Sequence, residues 1–328
     1  MAAVAVLVLA GCGGGDERRA EGAPMGPVGQ RPVSTVPYWV NPQTNAARQL
    51  AAYRAAGRST EAELMAQIAR QPIAEWIGAD DPEGRARRFT GAAEAAGREG
   101  LLVLYNIPHR DCGQYSKGGA RDGRAYRHWV EQVAAGIGDR RATVVLEPDA
   151  LPHVEDGCTP ERFHRERFAL LAAAVHRLRA LPHTKVYLDA GNPHWITDVE
   201  RMADPLRRAG IEEADGFALN ISNYQTTREN TAYGKRLSDL LGGKHFVIDT
   251  SRNGRGPARG GDDPQAWCNP GERALGEPPT TRTADERVDA YLWIKPPGES
   301  DGPCKGGPQA GAWWPDYALD LARNATAD

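Results

Sequence analysis

The sequence predicts an α/β fold: a distorted (β/α) barrel of seven to eight parallel strands, forming a single catalytic domain. Three observations carry this expectation. Short β-branched and apolar runs bounded by Gly or Pro recur along the chain, helix-like stretches lie between them, and the runs stop abruptly at polar residues. Alternating strands and helices give parallel sheets or barrels. In such folds the residues just past the strand ends gather on one face, where active sites sit. Thr143–Asp149 (TVVLEPD) shows the pattern most sharply, an apolar run that stops at a carboxylate.

Taken in order, strands are expected at Val36–Val40, Ile73–Ile77, Leu101–Asn106, Thr143–Glu147, Lys185–Asp189, Phe217–Asn220, Lys244–Asp249 and Ala290–Lys295. Helices are expected at Thr44–Ala56, Glu83–Arg98, Tyr126–Ile137, Pro160–Leu181, Val199–Ala209 and Ala232–Leu241. Pro160 after Thr159 is favourable helix-start chemistry. Phe163, Phe168, Leu171, Val175 and Leu178 fall at three- to four-residue spacing, a stripe that faces a sheet. Asp249 to Ala290 is a long insertion rich in Gly, Pro, Asp and Arg, and long loops in compact domains are more often functional than idle. The strand ends deliver Asp111 (shortly after Asn106), Asp149, Asp189, Asn220, Asp249 and Lys295. Several carboxylates on one face suggest acid/base hydrolysis.

The 328 residues suit one large domain, and no internal repeat is evident. A net charge of −3, with charges of both signs, leaves no basic field for nucleic acid. Ala, Arg and Gly richness fits a high-GC bacterial source. Residues 1–12 (MAAVAVLVLAGC) are apolar but too short to span a bilayer, and read as the apolar core of an export signal. Leu9-Ala10-Gly11-Cys12 resembles a bacterial lipobox, which would make Cys12 lipidated and the mature N-terminus, although no Lys or Arg precedes the apolar run. Residues 13–33 have little to bury and read as a flexible tether, with the catalytic domain over 34–328. The expected location is extracellular or at the cell surface, with membrane attachment only through that lipid. Nothing in the sequence suggests more than a monomer.

Setting Cys12 aside, four of the five cysteines remain, an even number that fits export. They allow three pairings; Cys112–Cys158 with Cys268–Cys304 is the one expected, each bridge contributing about 4 kcal/mol in the chain-entropy model. No CxxC or CxH spacing suggests zinc. The chain lacks HExxH and GxxxxGK[ST], and has no GxGxxG after a strand, so no metal or cofactor is expected.

The motifs together are more specific than any one of them. Tyr105 and Asp111 in YNIPHRDCGQYS, Asp149 in LEPD, Asp189 in YLDAG and Asn220 in LNISNY are joined by Trp267-Cys268-Asn269 and by Lys295, Glu299 and Asp301 in WIKPPGESDG. In this order, over roughly residues 35–325, the chain resembles the glycoside hydrolase family 6 cellulases. The resemblance implies hydrolysis of β-1,4-glucosidic bonds with inversion, in a distorted α/β barrel whose strand ends form the groove. It implies that Asp149 is the general acid, that Asp111 raises the pKa of Asp149 and helps organise the attacking water, and that Ser116 holds that water. It places Asp301 at the position proposed as base, with a water chain to Asp111 as the rival. Tyr105 would lie against the reacting sugar, Lys295 and Glu299 would bind the glucosyl unit before the scissile bond, and Asp189 would be a buried carboxylate near the acid. Inversion needs about 6.5–9.5 Å between acid and base carboxyls, room for one water.

Trp39, Trp195 and Trp267 match sugar platforms of the family, where an indole face covers the C–H side of a pyranose; Trp76, Trp129, Trp293, Trp313 and Trp314 are left to the core or unassigned. The chain departs from the family pattern at Asn192, where relatives usually have His, and at His109, where many have Gly. The segments inside Cys112–Cys158 and Cys268–Cys304 are short, which implies an open cleft and endo cleavage. With no carbohydrate-binding module, soluble or amorphous β-glucan is the expected partner. The alternatives are a chain-end-acting cellobiohydrolase and a non-catalytic glucan-binding surface protein on the same scaffold.

Overall fold

The computed structural model describes residues 36–258 and 265–325. Cys12, the tether over 13–33 and the expected domain start at residue 34 lie outside the described residues. Among the described residues, seven strands follow one another as β1 (Glu75–Ile77), β2 (Gly100–Leu104), β3 (Ala142–Leu146), β4 (Thr184–Asp189), β5 (Gly216–Leu219), β6 (His245–Asp249) and β7 (Val288–Leu292). They pair in sequence order, every neighbour parallel. The helices are α1 (Asn45–Ala55), α2 (Ser59–Ala69), α3 (Pro82–Ala95), α4 (Gly123–Ile137), the single turn α5 (Pro152–Glu155), α6 (His164–Arg179), α7 (Glu200–Arg208), α8 (Thr227–Leu240) and α9 (Pro315–Asn324).

Side chains alternate across the strands, and both faces are buried. Along β2, Leu102 and Leu104 join the cluster packed under α3, α4 and α6, whereas Leu101 and Val103 join an interior cluster with Tyr38, Val145, Tyr187, Ala218, Val247 and Leu292. Burial on both faces is why these strands read as continuous apolar runs. The sheet curls into a half-barrel whose edges meet through the Ile73–Trp293 bridge, the Ala74 N–H donated to Trp293 O at 3.1 Å and the Trp76 indole N–H donated to Ile294 O at 2.8 Å. A third cluster, from α1, α2, α9 and Trp293, packs beside this seam.

The expected eighth strand at Val36–Val40 reduces to one bridge, Tyr38–Glu99. Pro37 has no N–H to extend a ladder, although its carbonyl accepts from Glu99 N–H. The helix expected from Pro160 starts later, because Pro160 is extended (ψ 137°) and a 3-10 turn at Glu161–Phe163 precedes α6. Helices α2 and α9 were not anticipated. The two disulfides follow the expected pairing, with Cα–Cα separations of 5.9 Å for Cys112–Cys158 and 6.3 Å for Cys268–Cys304.

Asp249 ties the strand ends together. Fully buried at the end of β6, its carboxylate accepts N–H bonds from Ser222 (3.0 Å), Ser251 (2.9 Å) and Lys295 (3.0 Å). These lie past β5, β6 and β7, so one side chain sets three loops of the same face. Removing it strands buried donors, each costing about 1–3 kcal/mol. Asp249→Ala is therefore expected to lower unfolding free energy by about 3 kcal/mol or more, read by denaturant melts; a loss within 0.5 kcal/mol, roughly the surface-substitution range, would refute that role.

Candidate active site

Past the carboxyl ends of the strands lies a cleft of about 450 Å³. Tyr105, Asp111, Ser116, Asp149, Trp195, Trp267, Lys295 and Asp301, all singled out from sequence, line it. Asp149 stands just past β3 with a left-handed backbone (φ 70°). Its N–H is donated to Asp189 Oδ2 at 2.6 Å, and its Oδ2 accepts from the Tyr105 hydroxyl at 3.2 Å. Burial pushes the Asp149 carboxyl up, against the lowering pull of His153, Tyr105 and Lys295. Asp189, 2 % exposed beneath it, is raised by burial and by the Asp149 charge.

Asp111 belongs to the loop that follows β2. Its Oδ2 accepts the Ser116 N–H at 2.5 Å, which lowers its pKa, but burial and the Asp149 charge leave the carboxyl raised. Arg110 braces this loop, donating from Nη1 to Tyr105 O (2.6 Å) and from Nε to Ser116 O (2.8 Å), with its guanidinium 4.6 Å above the Tyr105 ring. Gly119 is required in that loop, since a Cβ there would stand 1.9 Å from Ile107 O. Below, Glu147 accepts N–H bonds from Asn106 (3.0 Å) and Ile107 (2.9 Å), fixing the backbone that carries Tyr105.

The opposite wall is electrostatically inverted. Asp301 Oδ2 accepts from Arg252 Nη1 (2.9 Å), Asn269 N–H (3.1 Å) and the Tyr224 hydroxyl (3.2 Å), while Lys295 Nζ lies 3.7 Å from Oδ1. Burial raises the Asp301 carboxyl, but the charges of Arg252 and Lys295 outweigh it and hold the group below the usual carboxylate range. Arg252 is fully buried, so Asp301 is its counter-ion as well as a cleft residue.

The remaining expected residues lie elsewhere. Glu299 lines an adjoining hollow of about 240 Å³ with Asn45, Arg85 and Trp313, and Trp76 borders both spaces. Trp39 is not in the cleft; its ring packs edge-on against Phe89 at 5.1 Å. Asn220 is fully buried and gives its side-chain N–H to Asp249 O at 2.8 Å, so it holds the β5 loop and does not face the cleft. Trp267 is exposed at the cleft, beside Tyr115 at 6.1 Å. His109 stacks on Phe163 at 4.0 Å and does not line the cleft, whereas Asn192 does.

Sequence reasoning missed Trp76, Tyr115, His153, Asp156, Tyr224 and Arg252, all in the lining or bonded to it. For Arg252 the signal was position, three residues past the end of β6; for His153 it was the four-residue step from Asp149 on a helical turn.

The family model for Glycosyl hydrolases family 6 matches residues 33–325. The chain belongs to family 6. It is 45% identical over 298 residues to Endoglucanase A of Cellulomonas fimi, covering 90% of this chain and 62% of that protein. It is 42% identical to Endoglucanase 1 of Streptomyces halstedii, covering 87% of this chain and 88% of that one. Among solved structures, the endoglucanase Cel6 from Mycobacterium tuberculosis, in complex with methyl-cellobiosyl-4-deoxy-4-thio-β-D-cellobioside, superposes with a TM-score of 0.82 at 46% identity, covering 89% of this chain and 98% of that one. The chain spans 62% of the length of two of the curated family 6 relatives it matches, the C. fimi enzyme and an Endoglucanase A from Thermobispora bispora.

Glu147 makes the site's support pH-dependent. Burial raises its pKa from 4.5 to about 7, against the lowering effect of the Asn106 and Ile107 N–H bonds. The folded state thus holds this proton more tightly than the unfolded chain. The stability it contributes is full below about pH 4.5 and is lost as pH rises through about 7. At 1.36 kcal/mol per unit the loss is on the order of 3 kcal/mol. Denaturant melts of wild type against Glu147→Gln should show this difference between pH 4.5 and 8; a pH-independent difference would contradict it.

Proposed function

We propose that this protein is an endo-acting β-1,4-glucanase that hydrolyses internal glucosidic bonds with inversion. The observation that carries the reading is the pairing of a carboxyl whose pKa burial raises, Asp149 over buried Asp189, with a carboxylate whose pKa is lowered, Asp301 between Arg252 and Lys295, across one cleft. Groups whose environments push their pKa values apart hold different protonation states at one pH, so Asp149 can serve as the acid while Asp301 stays an anion. The endoglucanase names of the relatives and the thio-oligosaccharide in the M. tuberculosis complex support β-1,4-glucan as substrate. Short disulfide-bounded loops favour an open cleft over a tunnel, and hence cuts within the chain.

In this mechanism Asp149 protonates the leaving glycosidic oxygen. Tyr105, hydrogen-bonded to that acid, lies against the reacting sugar, while Trp195 and Trp267 supply apolar platforms along the cleft. Lys295 and Glu299 bind the unit before the scissile bond. Water is positioned near Ser116 and Asp111. Asp301, doubly neutralised, is a weak proton acceptor, so the proton passes more readily through water towards Asp111, whose raised carboxyl is the stronger base. Export through residues 1–12, with Cys12 as a lipid anchor, would place this activity at the cell surface on polymeric substrate.

The test follows viscosity against new reducing ends on carboxymethyl cellulose. Wild type should lose viscosity steeply at few new ends, and Asp149→Ala should lose about 100-fold or more of the rate on unactivated glucan. Slow viscosity loss with many ends would point to chain-end action, and no ends at all to a binding protein. Asp301→Asn should reduce turnover less than Asp149→Ala; an equal loss would return the base role to Asp301.

A further inference from the structure

His153 has no part in the mechanism above, yet it stands at its centre. It is 6 % exposed, lines the cleft, and presents a ring nitrogen that lies, with one carboxylate oxygen each from Asp111 and Asp149, in a cluster whose atoms are all within 4.8 Å of one another. The single turn α5 aims it there: His153 N–H is donated to Asp149 O at 2.9 Å, and Thr159 N–H returns to His153 O at 2.7 Å. Its Nδ1 is 3.2 Å from Asp156 Oδ2. Asp156 is itself held by the indole N–H of Trp195 at 2.9 Å and by Cys158 N–H at 2.8 Å, and the Trp195 ring meets the imidazole edge-on at 4.9 Å. Both sulfurs of the Cys112–Cys158 disulfide also lie within 4.8 Å of a His153 ring nitrogen. A ring so constrained is a built feature of the site.

We propose that His153 is a positioning residue: as an imidazolium clamped by Asp156, it holds the neighbouring Asp111 and Asp149 carboxyls to a single shared proton. The proposal rests on the hydrolase reading above. Two carboxyls this close in a desolvated cleft tend to take up a second proton as pH falls, and an acid pair with both sites filled has no ionised member to organise water. A cation against both opposes that second protonation. The remaining proton then rests on Asp149, because Asp111 accepts the Ser116 N–H and feels Arg110.

The charges facing the imidazole are Asp149 past β3, Asp111 in the β2 loop and Asp156 at the end of α5; Asp189 from β4 lies beneath Asp149, and Lys295 past β7 acts on Asp149 from across the cleft. Burial alone would favour a neutral ring, but the Asp156 bond and the Asp149 and Asp111 charges outweigh it and raise the His153 pKa. Trp195 links the relay to substrate, since a sugar docked on that indole would shield the Asp156–His153 pair from water.

The experiment is the pH profile of kcat/KM on soluble β-glucan for wild type, His153→Gln and Asp156→Asn, with melting curves to establish folding. Loss of the cation should move both limbs of the profile to higher pH in His153→Gln, by roughly one unit given the separation, and by less in Asp156→Asn. Limbs that stay in place, or a loss of rate uniform in pH, would overturn the proposal. NMR titration of the His153 ring in wild type gives a readout independent of turnover: an imidazolium persisting above about pH 6.5, the free-residue midpoint, supports it, and a neutral ring there overturns it. If wild type hydrolyses no glucan, the functional reading fails and the NMR titration alone decides this one.

Discussion

The contact on which the site depends is the 2.6 Å bond from Asp149 N–H to Asp189 Oδ2. It joins the end of β3 to the end of β4 and fixes where the Asp149 carboxyl can point. It also sets the buried Asp189 carboxyl directly beneath Asp149, whose charge makes ionisation of Asp189 harder. Asp189 is held in turn by Gly191 N–H at 3.0 Å, a bond within its own loop. Parallel pairing of β3 with β4 makes this possible, because register places Leu146 beside Leu188 and brings the two strand ends level. Position along the sheet is thereby converted into protonation state.

A second consequence is the separation of charge across the cleft. On the β2–β3–β4 side, Asp111, Asp149, Asp189 and Glu147 crowd together with burial raising every one of them. Past β6 and β7, Arg252 and Lys295 hold Asp301 ionised. Burying Arg252 completely is tolerable only because Asp301, the Ser222 carbonyl and the Tyr224 ring surround its guanidinium. An acid and an anion can then coexist at one pH without exchanging roles. His153 is the exception on the acidic side, a lone imidazole among carboxyls.

How much of this was legible follows from what each feature depends on. The barrel strands were readable because both their faces are buried, so β2 and β3 appear as nearly continuous apolar runs and β6 as an apolar Phe-Val-Ile centre. The carboxylates Asp111, Asp149 and Asp301 were readable because they terminate such runs or sit in motifs of fixed spacing. Val36–Val40 misled because its apolar alternation is real but Pro37 interrupts the ladder. Helix α9 lay hidden behind Trp314-Pro315, which reads as a loop until the packing against α2 is known. Trp39 and Trp76 show the limit most plainly: each belongs to an apolar segment ending near the cleft, and only tertiary packing decides which ring meets Phe89 and which meets Tyr105. Arg252 and Asn220 could not be sorted into ion-pair and scaffold roles, because both roles are defined by partners distant in sequence.

The backbone at the catalytic face shows what holding these groups requires. Asp111, Glu147, Asp149, Asn220, Ser222 and Asn269 all have positive φ without being glycine. Each costs about 1–2 kcal/mol relative to a right-handed conformation. Five of them have their side chains in hydrogen bonds that tie the turn down, mostly to partners distant in sequence: Asp111 to Ser116, Glu147 to Asn106 and Ile107, Asn220 to Asp249 O, Asn269 to Asp301, and Asp149 to Tyr105. A hydrogen bond contributes about 0.5–1.5 kcal/mol, and more where a charged group takes part, so these bonds offset much of the strain. Glycine would relieve the strain but could not supply the carboxyl. At Asp111, Glu147 and Asp149 the turn past the strand end therefore carries a side chain that is both a carboxyl of the site and its own anchor, whereas Asp189 and Asp301 are held without a left-handed backbone.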